Sequence, residues 1–272
     1  MTGLPASLQR VARPPRKPAG TAPTGFGATT RKDDWWSSAL GVGFWLAVLV
    51  IYSFFSALLW TPLFGTEYEI GGYASPFFFP LFTDVGLPFG ISPAILTLWI
   101  PIGFRVTCYY FRRAYYRAYL ADPAACAVAE PTIHRRYRME TAFPFILQNL
   151  HRLFLYLAVV LLVIHWAEVG GTFFVGGSPR LGLGSVILLT DTLLLTGYVS
   201  SCHSLRHIVG GRLDCFSCSR GNQIRGSAWK RLSGLNERHM IWAWASLVSV
   251  VVADLYIHLL ALGVVTDPQI HF

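Results

Sequence analysis

Five long apolar stretches limit what this chain can fold into. A helix needs roughly 20 mostly apolar residues to cross the hydrocarbon core of a bilayer. Stretches of that length cover about residues 37–63, 91–116, 143–169, 181–207 and 235–265. Only 13% of the residues are charged, whereas soluble domains carry about 25%. We therefore predict an all-α integral membrane protein, with a bundle of five transmembrane helices in residues 33–272 and no evident internal repeat.

Lysine and arginine are concentrated in alternate loops, which predicts the orientation of the bundle. The N-terminal tail and the loops after the second and fourth stretches are basic. Residues 64–90 contain no Lys or Arg, and residues 170–180 contain only Arg180. Because basic loops stay in the cytoplasm, we expect the N-terminus to lie inside and the C-terminus outside. Residues 1–32 are then a flexible basic cytoplasmic tail without the apolar run of a signal peptide.

The formal net charge of +8 does not indicate nucleic-acid binding. Its positive residues lie beside hydrophobic segments, which is the pattern of membrane topology. We predict no nucleic-acid partner. The five cysteines do not predict a disulfide framework either, since Cys108 lies in an apolar stretch and three others lie on the predicted cytoplasmic side, which is reducing.

The stretch from Cys202 to Cys218 carries a pattern typical of metal ligands. His203 and His207 are four residues apart and share one face of a helix. Cys215 and Cys218 have the spacing at which two thiolates bind one metal. Two imidazoles and two thiolates are the ligands of a Rieske-type [2Fe–2S] cluster or of a structural zinc. We favour the iron cluster, with both histidines on one iron, both cysteines on the other, and Cys202 as the alternative to His203.

Histidines inside the apolar stretches allow a haem alternative. His151 and His165 lie on the third stretch, about 21 Å apart along a helix and nearly on one face. His239 and His258 lie near the two ends of the fifth stretch, which runs in the same direction. Paired across the bundle, the four would bind two b haems. In the competing interpretation, each histidine hydrogen-bonds within the bundle or reaches an interface.

Charged side chains at membrane depth point to a proton route or to ion pairs. Asp191 lies near the middle of the fourth stretch, and Asp254 precedes His258 by four residues, so that the two can pair on a helix. Polar residues toward the cytoplasmic side predict a quinone headgroup site formed by Arg105, Gln148, His151, Arg152 and His239.

Together, the five helices, the cytoplasmic N-terminus, the polar helix ends and the Cys202–Cys218 stretch resemble the membrane-anchor subunit of succinate:quinone oxidoreductases. The closest likeness is the actinobacterial type, over about residues 33–265. This resemblance implies a non-catalytic subunit of the plasma (inner) membrane, surrounded by lipid. It would dock the flavoprotein and iron–sulfur subunits of succinate dehydrogenase on its cytoplasmic face, with room for a further small membrane subunit. Electrons from succinate would reach a quinone, expected to be menaquinone, near the membrane surface.

Classical five-helix members of that family carry two b haems, with histidine ligands on four helices. The first and second apolar stretches of this chain contain no histidine. This departure argues against haem and leaves the [2Fe–2S] cluster as the expected electron carrier. A second rival is a transporter or assembly factor with a structural zinc, in which Asp191 and Asp254 would be the transport residues.

Overall fold

The computed structural model describes residues 30, 32–65, 69–78, 92–120, 141, 143, 145–211 and 213–272. The described chain is mostly helical, as predicted. Its α-helices are α1 (Trp35–Phe55), α2 (Thr61–Phe64), α3 (Ile95–Thr107), α4 (Tyr109–Leu120), α5 (His151–Gly171), α6 (Leu183–Ser200), α7 (His203–Gly210), α8 (Arg220–Glu237) and α9 (His239–Ala261). A π-helical turn, Ser56–Trp60, joins α1 to α2, and 3₁₀ segments lie at Pro76–Phe78 and Phe145–Leu150.

Four helical segments of the described chain are long and apolar enough to cross a membrane. They are Trp36–Trp60, Ile146–Gly171, Leu183–Ser200 and His239–Ala261, and they correspond to the first, third, fourth and fifth predicted helices. The second predicted helix is not continuous. The shorter α3, which contains Pro101, ends before Cys108, whose backbone is extended (φ −63°, ψ 128°), and α4 begins at the next residue. Hydrophobicity alone does not reveal this break, because Cys108 is as apolar as its neighbours.

Close helix contacts hold the bundle together. Helix α6 packs against α9 and α5, α5 packs against α3, and α1 packs against α4 and α9. Glycines permit two of these approaches. A Cβ on Gly103 of α3 would lie 2.1 Å from the ring of Phe154 on α5, and one on Gly197 of α6 would lie 2.3 Å from the ring of Trp242 on α9. One end of the bundle, hereafter the α7–α8 end, carries α7 packed on α8.

Short antiparallel strands close the opposite end, hereafter the sheet end. They form one hairpin and one three-stranded sheet, from β1 (Glu69–Ile70), β2 (Tyr73–Ala74), β3 (Phe174–Val175), β4 (Ser178–Gly182) and β5 (Gln269–His271). Asp267 ties these strands to the helices. It accepts hydrogen bonds from the Tyr73 and Tyr256 hydroxyls at 2.7 and 2.6 Å and from the Gly184 backbone N–H at 2.9 Å.

Candidate functional site

The metal ligands predicted between Cys202 and Cys218 are not brought together. His203 and His207 lie on α7, and both side chains are exposed. Cys215 and Cys218 are joined to each other by a disulfide bond, which departs from the expectation of reduced cysteines at this end of the chain. Among the residues that the structure describes, no three His, Cys, Asp or Glu side chains are arranged to hold one metal ion. The predicted ligand set, for iron or for zinc, is therefore not assembled, because α7 exposes the imidazoles and the thiols bond to each other.

A different cysteine contacts a histidine at the break between α3 and α4. The buried Sγ of Cys108 lies 3.3 Å from Nε2 of His239, the first residue of α9. The other ring nitrogen of His239, Nδ1, lies 2.7 Å from Oγ of Ser201. The Tyr198 ring stacks on the same imidazole with centroids 5.2 Å apart. His239 is thus held by a thiol, a hydroxyl and an aromatic ring.

A second buried cysteine, Cys202, contacts a second histidine that is held in an equivalent way. Cys202 lies between α6 and α7 in an extended conformation (φ −64°, ψ 132°), so the fourth predicted helix is also interrupted. Its Sγ lies 3.2 Å from Nε2 of His151, the first residue of α5. Nδ1 of His151 lies 2.9 Å from Oγ1 of Thr107, and the Phe104 ring stacks on the imidazole at 4.9 Å.

These two sets of contacts come from one local pattern that the sequence contains twice. The segments Phe104-Arg-Val-Thr-Cys108 and Tyr198-Val-Ser-Ser-Cys202 each place an aromatic ring four residues before a cysteine and a hydroxyl directly before it. In each segment the ring and the hydroxyl hold one histidine, while the thiol contacts the other. A five-residue pattern with one invariant position is too short to attract notice before its contacts are known.

Two thiols and two imidazoles from different helices thus occur together in the core of the bundle. Cys108 and Cys202 are 2% and 1% exposed and belong to the same hydrophobic cluster. Each histidine has its second ring nitrogen beside a hydroxyl, as metal-binding histidines usually have a partner there. The donor set fits a two-iron cluster with two cysteine and two histidine ligands.

Arg105, predicted to bind quinone, lies next to these residues. Its guanidinium lies over the Tyr198 ring, 4.8 Å from the centroid. It also donates hydrogen bonds to the Ala243 carbonyl and to Oγ of Ser246, both at 3.2 Å. A buried positive group thus borders the aromatic ring that stacks on His239.

The other predicted quinone residues lie in different places. His151 and His239 belong to the Cys–His pairs described above. Arg152 is exposed and donates a hydrogen bond to the Tyr156 hydroxyl at 3.0 Å. Gln148 lies half-buried in the 3₁₀ segment before α5. The five residues therefore do not form one headgroup site.

An apolar cavity of about 390 Å³ lies inside the bundle, beside the two Cys–His pairs. Its wall includes Phe104 and Tyr198, the rings that stack on the two histidines, and Arg105. His165 lines it farther toward the sheet end. Cavities of this kind, mostly apolar with a few polar groups, are typical of small-molecule sites.

Two buried His–Asp pairs lie toward the sheet end. Nε2 of His165 lies 3.5 Å from Oδ2 of Asp191, whose Oδ1 accepts a hydrogen bond from Ser249 at 2.5 Å. Nε2 of His258 lies 3.3 Å from Oδ1 of Asp254, which confirms the pairing predicted from their spacing. The Asp254 carboxylate also accepts hydrogen bonds from the hydroxyls of Tyr52, Ser56 and Ser75.

Comparison with known proteins gives the family of this chain. The family described as actinobacterial succinate dehydrogenase subunit SdhC matches residues 38–263. The chain belongs to that family. A solved structure titled Mycobacterium smegmatis Sdh1 complex in the apo form contains a chain with 37% sequence identity to it. The match covers 93% of this chain and 96% of that chain, with a TM-score of 0.79. No curated protein sequence matches.

As an SdhC protein, the chain is a multi-pass membrane-anchor subunit of a succinate dehydrogenase, as its resemblance implies. This membership leaves no support for the transporter or assembly-factor alternative. The two-haem alternative requires four histidines that can face iron. In the structure His165 and His258 each pair with an aspartate, and His151 and His239 each contact a cysteine.

Proposed function

We propose that this SdhC chain carries electrons from the iron–sulfur subunit of its complex to a quinone, expected to be menaquinone. The carrier is a Rieske-type [2Fe–2S] cluster bound by Cys108, Cys202, His151 and His239. The observation that carries the proposal is the two Cys–His contacts at the helix breaks, 3.3 and 3.2 Å long. The proposal keeps the cluster expected from the sequence and replaces its ligands, which were His203, His207, Cys215 and Cys218.

The symmetry of the donor set supports a two-iron cluster. The two five-residue patterns are equivalent, because each supplies one thiol and each holds one imidazole with its ring and hydroxyl. A cluster with both cysteines on one iron and both histidines on the other uses the two patterns in the same way. When bound, such a cluster supplies a one-electron carrier, and histidine ligation brings its potential to roughly −150 to +300 mV.

The surrounding side chains prepare the histidines to bind metal. Thr107 and Ser201 lie at hydrogen-bond distance from Nδ1 of His151 and His239, respectively. A hydroxyl that accepts from Nδ1–H fixes the tautomer in which Nε2 is the ligand atom. The stacked rings of Phe104 and Tyr198 each cover one face of an imidazole.

We further propose that the α7–α8 end faces the cytoplasm and docks the flavoprotein and iron–sulfur subunits. The distribution of basic residues supports this orientation. In the described part of the sheet end, residues 69–78, 172–182 and 262–272 include only one Lys or Arg, Arg180. At the α7–α8 end, described basic residues include Arg206, Arg220, Arg225, Lys230, Arg231 and Arg238. Basic segments remain on the cytoplasmic side, so electrons from succinate would enter the bundle beside the cluster.

The cavity is the proposed quinone site. A headgroup inside it would be separated from the cluster histidines by the single rings of Phe104 and Tyr198. Arg105 borders the same end of the cavity and can donate a hydrogen bond to a quinone carbonyl oxygen. Gln148 and Arg152 do not line this cavity.

Spectroscopy of the purified complex tests the proposed carrier. After reduction with succinate, we expect a rhombic EPR signal with the low mean g value of Rieske-type clusters. The visible spectrum should lack the α-band of a b haem, and metal analysis should find iron. A strong haem α-band, or zinc without a Rieske-type signal, would overturn the proposal.

A further inference from the structure

Among the described residues that line the cavity, His165 is the only histidine. It is 5% exposed, and Asp191, its partner at 3.5 Å, is 0% exposed. Ser249 of α9 donates a hydrogen bond to the other carboxylate oxygen of Asp191. A carboxylate fully enclosed by a bundle is costly unless a cation or hydrogen-bond donors compensate it. The pair therefore places an imidazole, held beside a carboxylate, at the cavity wall.

We propose that His165, positioned by Asp191 and Ser249, is the proton donor to a quinone reduced in the cavity. This inference rests on the proposed function and adds to it the source of the protons. Reduction of one quinone to quinol consumes two electrons and two protons. The electrons come from succinate through the iron–sulfur subunit. One proton passes from the His165 imidazolium to the carbonyl oxygen that faces it, and the opposite oxygen takes its proton from water. The neutral imidazole then regains its proton from water.

Arg105 and Asp191 contact serines at two levels of α9, and this supports a headgroup held between Arg105 and His165. The Arg105 guanidinium donates to Ser246, and the Asp191 carboxylate accepts from Ser249, both hydroxyls lying on α9. Three residues of helix separate the two serines by about 4.5 Å along the axis. Arg105 and the His165–Asp191 pair can therefore address opposite carbonyl oxygens of one ring, with the former nearer the cluster.

In the part of the chain that the structure describes, few other titratable groups surround His165. Asp191 and Tyr198 of α6 and Arg105 of α3 are the charged or titratable side chains that face it or the shared cavity. The described cavity residues of α1 and α9 are apolar apart from Ser53, and Ser249 adds a hydroxyl beside Asp191. A difference in the pH profile of quinone reduction between wild type and His165→Gln is therefore attributed to His165.

The second buried pair provides a matched control. His258 is also paired with an aspartate and is 0% exposed, but it does not line the cavity. It stacks on Trp60 at 4.3 Å and lies 2.9 Å from Oγ of Ser56. His258→Gln therefore changes a buried His–Asp pair without changing the cavity wall.

The experiment compares His165→Gln and His258→Gln in the complete complex. Succinate oxidation with an artificial electron acceptor measures assembly of the soluble subunits, and EPR after succinate addition measures reduction of the cluster. Reduction of a short-chain quinone is then followed against pH, in H₂O and in D₂O. We expect His165→Gln to lower quinone reduction by at least about 100-fold, the usual contribution of a general acid. Artificial-acceptor activity and the EPR signal should persist, and His258→Gln should stay within about twofold of wild type because it leaves the proton donor in place.

Asp191→Asn provides a second, milder variant. Without the carboxylate, the His165 imidazole loses the group that positions it. Quinone reduction should then fall by less than in His165→Gln, while artificial-acceptor activity and the EPR signal persist. An unchanged rate and pH profile in His165→Gln would overturn the inference, as would an equal loss in His258→Gln. If neither His165→Gln nor Asp191→Asn assembles, absence of a solvent isotope effect in the wild-type complex would overturn it. A missing Rieske-type signal in wild type would instead contradict the proposed carrier and leave the His165 comparison valid.

Discussion

Cys108 and Cys202 interrupt two different helices with nearly the same backbone conformation, φ −63° with ψ 128° and φ −64° with ψ 132°. An extended residue between two helices directs its side chain away from the helix surface on which its neighbours lie. Each thiol therefore reaches a histidine that begins another helix, His239 or His151. Two positions inside apparently continuous apolar runs thus define the candidate redox site.

Replacing single cysteines tests which residues bind the proposed cluster. The two candidate sets are the one proposed from the structure (Cys108, Cys202, His151 and His239) and the one expected from the sequence (His203, His207, Cys215 and Cys218). Cys202→Ser should abolish the Rieske-type EPR signal and succinate-dependent quinone reduction, because serine does not replace a thiolate on iron. Artificial-acceptor activity should remain, since it requires only the soluble subunits. The control is Cys215→Ser, which affects a cysteine of the surface disulfide and should leave the signal intact. Loss of the signal in Cys215→Ser alone would restore the ligand set expected from the sequence.

Removing the hydroxyls beside Nδ1 tests how the histidines are positioned. Ser201→Ala and Thr107→Ala each delete a hydrogen-bond partner of a histidine proposed to bind the cluster. Loss of such an outer partner typically costs about 10–100-fold in metal affinity or activity. We expect lower cluster occupancy, measured as EPR signal per complex, after dialysis against a chelator. Thr190→Ala is the control, because the Thr190 hydroxyl bonds only to the Val186 carbonyl of its own helix; equal losses in all three variants would contradict the assignment.

Adding a methyl group at a close helix contact tests the packing of α3 on α5. Gly103→Ala places Cβ 2.1 Å from the Phe154 ring, so helix or ring must move. Overpacking of this kind costs about 1–3 kcal/mol. We expect a lower apparent Tm of the detergent-solubilised complex. Gly41→Ala in α1, where nothing lies within 4 Å of the new Cβ, should be stabilising by no more than about 1 kcal/mol. Identical Tm values for the two variants would show that α3 and α5 are less closely packed.

The sheet end should be sensitive to acid through Asp267. Burial acts to raise the pKa of this carboxyl, but hydrogen bonds from Tyr256, Tyr73 and the Gly184 N–H outweigh it and lower the pKa below its ordinary value. The stabilisation is therefore fully present above the unfolded-state pKa, about 3.9, and is lost as pH falls through the lower folded-state value.

Asp267→Asn separates this effect from general acid denaturation. The variant should have a lower apparent Tm than wild type at pH 7. The difference should begin to shrink below about pH 4, where the aspartate of the unfolded chain becomes protonated, and it should vanish once the folded-state carboxyl is protonated too. Asp214→Asn, on an exposed residue at the α7–α8 end, is the control. A difference in Tm that is independent of pH would mean that the carboxylate charge contributes nothing to the sheet end.

Local sequence patterns predicted the helices well and the site only in part. The apolar stretches located four membrane-length helices, and i, i+4 spacing paired Asp254 with His258. The same local logic favoured the adjacent residues His203, His207, Cys215 and Cys218 as ligands. The structure brings together Cys108, His151, Cys202 and His239 instead, which are far apart in the sequence. Spacing rules detect ligands on one helix or loop, and this site draws each ligand from a different segment.

The sequence by itself determined that the chain is a helical membrane protein, because the length of an apolar run and the position of basic loops depend only on local composition. It also contained both copies of the aromatic-x-x-hydroxyl-Cys pattern. Only the tertiary structure decided that these copies face each other, that helices break at Cys108 and Cys202, and that His165 lines the cavity while His258 does not. Those outcomes depend on how α3, α5, α6 and α9 pack. Their packing is set by contacts between residues that are far apart in the sequence, which local patterns do not reveal.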